Sequence, residues 1–236
     1  GRPSLSSIPS CLCKKLTMMK YLLFGILCGL ALCGCRSQTS FGDRAADAAT
    51  LAAGNPVEET IRARRSIRRY EPQPVGRDTL LRILDCGLQA PNGQGRESWE
   101  VRVVTDSALL AALDRQYGCY VRQVSRNPKA QHPAAYGAPA LVFIACDTTY
   151  DLSQVDCGLL GGNMILAAQS VGVGSCCLGG LCRFLNAPEG AELLRRLQLP
   201  DTHRLLYAIA FGYPAEMPAA KPRNREKGRR INAHKL

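Results

Sequence analysis

The chain has 236 residues, 46% of them hydrophobic, 6% aromatic and 21% charged, with a formal net charge of +11. This is a globular composition for one domain or at most two, and it excludes a disordered or fibrous chain. The positive charge sits at the ends: residues 1–40 carry five basic groups and no acid, residues 221–236 carry seven basic groups and one acid, and the stretch between holds 18 of each sign. A neutral body without interleaved aromatics argues against a broad nucleic-acid surface, and no nucleic-acid partner is expected.

Twelve cysteines, about 5% of the chain, fall below the roughly 8–10% that marks a disulfide scaffold. Five lie in the first 35 residues. The other seven lack C-x-x-C spacing, and His132, His203 and His234 are isolated, so buried thiols are expected and a metal site is not.

Residues 1–17 carry no periodicity and read as translated upstream sequence rather than structure. From Met18 the pattern becomes MMKYLLFGILCGLALCGC, in which Lys20 precedes an apolar run from Leu22 to Leu32 and then small residues with a cysteine. That run is far short of the ~20 residues a spanning helix needs, and the order is that of a signal peptide over residues 18–34. Leu32-Cys33-Gly34-Cys35 resembles the lipobox of bacterial lipoproteins, which implies lipidation at Cys35 and a membrane-anchored place in the bacterial cell envelope. A buried helix of a cytoplasmic protein is the alternative reading. Residues 35–54 then form the lipidated cysteine and a small, polar tether.

The folded body is expected over 55–236. Asn55-Pro56-Val57-Glu58 reads as an N-cap, a first-turn proline and a capping-box acid, opening a helix through Arg64. The spacing predicts a helix over 78–89, a breaker-rich loop at 90–95, a strand over 99–105 and a helix over 107–117. ALVFIAC at 140–146 predicts a strand buried on both faces. Residues 155–171 predict a helix apolar nearly all round, suited to a core or a dimer interface. A small-residue segment at 174–180, a helix over 189–197 and a buried strand over 203–212 complete the chain. The class is α+β, with helices on both sides of a sheet.

Arg64-Arg65-Ser66-Ile67-Arg68 is the sharpest local feature. Guanidinium forks, a hydroxyl and backbone N–H groups converge there as a phosphate requires, although a solvated basic helix end would show the same run. Ala90-Pro91-Asn92-Gly93, Leu166-Ala167-Ala168 leading to Gly174-Ser175, and Gly212-Tyr213-Pro214 ahead of Lys221-Pro222-Arg223 follow in order. In that order and spacing the chain from about 56 to 236 resembles the nitroreductase family of FMN-dependent oxidoreductases. It departs at Gly95, Glu97 and Ser98, where the family pattern has Asn, Gln and Pro ahead of the tryptophan.

The resemblance implies a three-layer α/β/α fold with a mixed sheet, and a homodimer with two FMN sites at the subunit interface. Arg64, Arg65, Ser66, Lys221 and Arg223 would hold the ribityl phosphate, and Arg68 would lie by the pyrimidine end of the flavin. Cys177, Leu178, Gly179 and Gly180 would flank the ring through their backbone, and the loop of Pro91, Asn92 and Gly93 would reach the flavin across the interface. The implied activity is ping-pong transfer of a hydride or electrons from NAD(P)H, or another donor if the protein is exported, to a nitroaromatic, quinone or similar small-molecule acceptor. The flavin carries that chemistry, so no catalytic acid or base is named. A membrane-tethered flavin-binding module of the same fold with little turnover is the alternative.

Overall fold

A computed structural model describes residues 54–126, 129 and 133–228. The expected signal peptide, the expected lipidation site Cys35 and most of the expected tether lie outside the described residues. Among the described residues no helix is long and apolar enough to cross a membrane.

Helix α1 (Pro56–Ala63) starts as its sequence predicts: the Asn55 side chain accepts from the N–H groups of Val57 and Glu58. The Glu58 carboxylate pairs with Arg62, one turn on, at 3.0 Å. Helix α2 (Arg77–Leu88) and strand β1 (Trp99–Val104) come next. Helix α3 (Ser107–Ser125) runs eight residues past its expected end at Tyr117. Gly118 does not stop it, because Tyr117 and Tyr120 pack on Phe184 at 5.8 and 5.1 Å between ring centroids and tertiary contact outweighs propensity.

Strand β2 (Ala140–Asp147), helix α4 (Ser153–Ser170), strand β3 (Gly174–Leu178) and helix α5 (Gly179–Leu185) follow. The small-residue segment is thus a strand running straight into a helix. Cross-strand pairing to the last strand makes the first half a strand, and burial of Leu181, Cys182, Phe184 and Leu185 makes the second a helix. The expected helix over 189–197 is a short 3-10 turn at Pro188–Gly190 and then α6 (Ala191–Arg195). Strand β4 (His203–Gly212) is as expected.

The sheet order is β1-β2-β4-β3. All three pairings are antiparallel, which corrects the expected mixed sheet. The chain leaves β2, crosses over through α4 and returns as β3 in the same direction, but β4 enters between them and opposes both. Parallel pairing is confined, among the described residues, to the bridge between Ser66 and Ser175.

Two cores cover the two faces of the sheet, giving three layers. Leu141, Phe143 and Ala145 of β2 pack with α3, α5 and α6, whereas Ala140, Val142, Ile144 and Cys146 pack with α2 and α4. Successive side chains of β2 therefore enter opposite cores, which is why that strand reads as an unbroken apolar run. Cys146, Cys157, Cys176 and Cys182 are buried, as expected of packing thiols.

Helix α4 is not covered all round. Cys157, Leu160, Met164 and Ala168 are fully buried, while Leu152 just ahead of the helix and Val155 and Leu159 on it are 49%, 57% and 43% exposed. Around Gly158 and Gly162 no heavy atom lies within 4 Å of where a Cβ would stand.

Candidate functional site

The segment after α1 builds the site. Residues 66–71 form an extended strap sewn to two neighbours: Ile67 N–H donates to the Ser175 carbonyl at 2.9 Å, Glu71 N–H to Tyr213 at 2.9 Å, and Ala215 N–H returns to Arg69 at 2.9 Å. Ile67 is buried at the crossing with β3. A Cβ on Gly174 would stand 2.8 Å from Ile67 Cγ1, and one on Gly212 would stand 2.7 Å from the Tyr70 ring. These two glycines let the strap lie against the sheet. Tyr70 locks it by donating its hydroxyl to the Ile67 carbonyl at 2.7 Å, and burial holds that phenol well above its usual range.

The strap and the tail after β4 meet in a cleft of about 400 Å³. Arg64, Arg65, Ser66, Arg68, Lys221 and Arg223, all expected to hold the phosphate or lie by the ring, line it together. Arg62, Pro218, Ala219 and Ala220 join them in the lining; no acidic side chain lines it. Among the described residues Arg64, Lys221 and Arg223 have no carboxylate within ion-pair distance. Arg65 is different: its Nη1 donates to the carbonyls of Arg62 and Arg64 at 2.6 and 2.9 Å. It caps the end of α1, so the helix-end role and the cleft role share one side chain.

Arg68 lies with its guanidinium 5.9 Å from the centroid of the Tyr136 ring. Its charged form is favoured, first by Cys176 and then, against some desolvation, by Tyr136 and Glu216. The Glu216 carboxylate accepts from the Arg68 backbone N–H, not from its fork. The Cys176 thiol beneath is pushed up by burial, with Arg68 and Arg64 pulling the other way.

Cys177 and Leu178 end β3, and Gly179 and Gly180 open α5. Cys177, Gly179 and Gly180 are exposed, and no heavy atom lies within 4 Å of a Cβ built on Gly179. A flat ligand could therefore meet this backbone closely. A Cβ on Gly180 would stand 2.6 Å from the Tyr117 hydroxyl. Gly179 also lines a second cleft of about 520 Å³, where Asp147 and Asp151 accompany Arg183 and Arg204.

Pro91, Asn92 and Gly93 line neither cleft. They form a loop tied to the start of α4, with Gly93 N–H donating to Asp156 at 2.9 Å. Tyr117, Tyr136, Glu216 and Asp156 were not legible as site residues from sequence. Asp156 reads only as the acid in the first turn of an apolar helix, and the other three carry no pattern of their own.

The residues fit a flavin mononucleotide. Arg64, Lys221 and Arg223, which among the described residues have no carboxylate partner, and the Ser66 hydroxyl converge for a phosphate, and the glycine backbone at Gly179 lies exposed for a ring.

The sequence profile of the Nitroreductase family matches residues 61–213. A nitroreductase with bound FMN from Bacteroides fragilis is 30% identical, with a TM-score of 0.65 and a match covering 78% of this chain and 98% of that one. The FMN reductase (NADPH) of Bacillus subtilis is 36% identical over 186 residues, covering 72% of this chain and 70% of that one. The NADPH-flavin oxidoreductase of Vibrio harveyi is 28% identical over 185 residues, with the same two coverages of 72% and 70%.

Proposed function

The chain belongs to the nitroreductase family, and from its geometry we propose how it works: it is an FMN-dependent NAD(P)H oxidoreductase, acting as a homodimer, with the cofactor's phosphate in the cationic cleft. The observation that carries this is the convergence of Arg64, Ser66, Lys221 and Arg223 on one cleft with no acidic lining. Bound FMN supplies hydride and electron transfer between NAD(P)H and a nitroaromatic, quinone or similar acceptor. The protein binds and orients. Arg64, Arg65, Ser66, Lys221 and Arg223 hold the phosphate, Arg68 keeps a fixed positive charge beside the ring, and Cys177 to Gly180 offer their backbone to it.

The exposed row of Leu152, Val155 and Leu159, with open space at Gly158 and Gly162, supports a dimer interface along α4. An apolar row of this kind is a normal mark of a protein contact, and two-fold pairing is the commonest way to cover it. The loop of Pro91, Asn92 and Gly93 borders that row and would approach the second subunit's flavin.

One experiment tests the reading. Purified protein comprising residues 36–236 should show a visible flavin spectrum, release FMN on denaturation, and scatter light as a dimer. Colourless protein that takes up no added FMN would refute the cofactor assignment, and a flavin-loaded monomer the dimer.

Anchoring is a further part of the proposal. The order of Lys20, an apolar run, small residues and Cys35 supports export and lipidation. A single acyl chain of myristoyl length binds membranes only marginally, so several would be needed. Cys35→Ala should then release the protein from the membrane fraction with flavin binding unchanged. An unmutated protein that fractionates as soluble, with its apolar run attached and no lipid by mass spectrometry, would replace this with the cytoplasmic reading.

A further inference from the structure

Asp156 stands in the first turn of α4 and is 2% exposed. Among the described residues no basic side chain pairs with it. A buried carboxylate requires donors, and here the loop before β1 supplies them. Gly93 N–H donates to Oδ1 at 2.9 Å, and the Ser98 hydroxyl donates to Oδ2 at 2.6 Å. The fully buried Ser153 ties the same end again, donating its hydroxyl to the Ser98 carbonyl and accepting from Asp147 N–H at 2.8 Å.

The loop between these ties needs holding. Gln94, Gly95 and Glu97 have φ of 58°, 66° and 47°, a left-handed region that residues with side chains rarely adopt and keep only where their surroundings enforce it. Asn92 contributes by accepting from Glu97 N–H at 2.9 Å. Tyr150 contributes from below: its hydroxyl would stand 2.2 Å from a Cβ on Gly93, and the Arg96 guanidinium lies 4.4 Å from its ring centroid. The tip from Gln94 to Glu97 stays exposed. A Leu152 methyl stands 3.2 Å from that same Cβ position on Gly93, so the loop borders the exposed apolar row beside α4.

We propose that Asp156 is a positioning residue that clamps both ends of the loop 93–98 to α4, fixing the shape the loop presents to the second subunit's flavin and to the incoming acceptor. The proposal rests on the dimeric flavoenzyme reading and deepens it. It also gives a physical account of Ser98, which stands where the family pattern has proline. A proline fixes its own φ but offers no hydroxyl; Ser98 achieves a comparable restraint through a charge-assisted hydrogen bond to a buried carboxylate.

The test uses the unmutated protein, Ser98→Ala, Asp156→Ala and Asp156→Asn. The measurements are hydrogen exchange across residues 91–98, FMN affinity by fluorescence quenching, and kcat and KM with NADPH and 1,4-benzoquinone at saturating FMN. In Asp156→Ala and Ser98→Ala, loop exchange should rise while that of β2 stays unchanged. KM for the quinone should rise by up to roughly tenfold, because a lost bond to a charged group bounds how far the loop can leave its competent shape, with kcat changing far less. Asp156→Asn keeps an acceptor for Gly93 N–H and should recover part of both effects. If Asp156→Ala fails to fold, Ser98→Ala, which removes one bond and no charge, decides the matter. Faster loop exchange with FMN affinity and KM both unchanged would overturn the clamp while leaving the flavoenzyme reading intact. An unmutated protein that binds no FMN would overturn that reading and the clamp with it.

Discussion

The cleft between the strap and the tail and the cleft beside Gly179 both hold arginines, and the second is the larger, at about 520 against about 400 Å³. They differ in balance. The first is lined by Arg62, Arg64, Arg65, Arg68, Lys221 and Arg223 and no acid, whereas the second sets Asp147 and Asp151 beside Arg183 and Arg204. Arg62 is answered by Glu58 and Arg68 has Glu216 nearby, but among the described residues Arg64, Lys221 and Arg223 have no carboxylate within ion-pair distance, and like charges held close without counterions are kept most readily when an anion completes them. A lining of mixed sign offers no site for a phosphate, even where Gly179 at its edge is offered to the ring. Convergence of one sign, rather than cavity size, therefore marks the phosphate site.

The largest effect should come from the cations that, among the described residues, no carboxylate pairs. Arg64→Ala or Arg223→Ala each removes a charge-assisted hydrogen bond of about 1.5–3 kcal/mol, or about 10- to 100-fold in FMN affinity. Both variants should purify largely colourless and recover flavin at high FMN. Full flavin retention in both would move the phosphate elsewhere and break the contrast between the clefts.

Much of this region was legible in the sequence because its chemistry is local. The run from Arg64 to Arg68 needs only a helix end and an extended strap to converge, and Asn55 caps that helix as its type predicts. Lys221 and Arg223 could be joined to it only through resemblance, since the contact depends on how the tail crosses the strap. The segment around Cys177 was hidden for another reason. Small residues permit either strand or helix, and pairing with β4 and burial of Phe184 decided between them. The antiparallel order was hidden too, because the insertion of β4 between β2 and β3 leaves no periodic trace. Asp156 was masked by the apolar stretch around it; its partners Gly93 and Ser98 are 63 and 58 residues away in the chain.

Arg65 sharpens the comparison within the cationic cleft. Its Nη1 is already engaged by the carbonyls of Arg62 and Arg64, so less of its fork is free for a ligand. Arg65→Ala should weaken FMN by less than Arg64→Ala, roughly tenfold or below, and should also lower thermal stability through loss of the helix-end contact. Equal losses of affinity in the two variants, with no change in melting temperature, would show that its carbonyl contacts give way on binding.

The response to pH should be smaller again. A phosphate monoester loses its second proton near roughly pH 6, so the cleft meets a dianion above that pH and a monoanion below it. Affinity should therefore fall a few-fold as pH drops from about 7 to about 5. The Cys176 thiol, pushed up by burial, stays neutral and adds no opposing charge at neutral pH. Titrating FMN affinity across this range checks the direction; a rise on acidification would mean that something other than the phosphate dominates binding.

The smallest effect should come from the balanced cleft, and it is the control on which the comparison stands. Arg204 is exposed and lines a cleft that also holds Asp147 and Asp151, so its charge is screened by solvent and set in a field of mixed sign. Arg204→Ala should leave FMN affinity within about twofold of the unmutated protein, because removing an exposed charge outside the cationic cleft changes the field at the phosphate by little. The measurement is the same fluorescence titration at two ionic strengths. Salt should weaken FMN binding in parallel in Arg204→Ala and the unmutated protein, and less in Arg64→Ala, which has lost one of the charges being screened. If Arg204→Ala instead lowers affinity as much as Arg64→Ala does, the two clefts act as one site, and the assignment of the phosphate by charge balance alone fails.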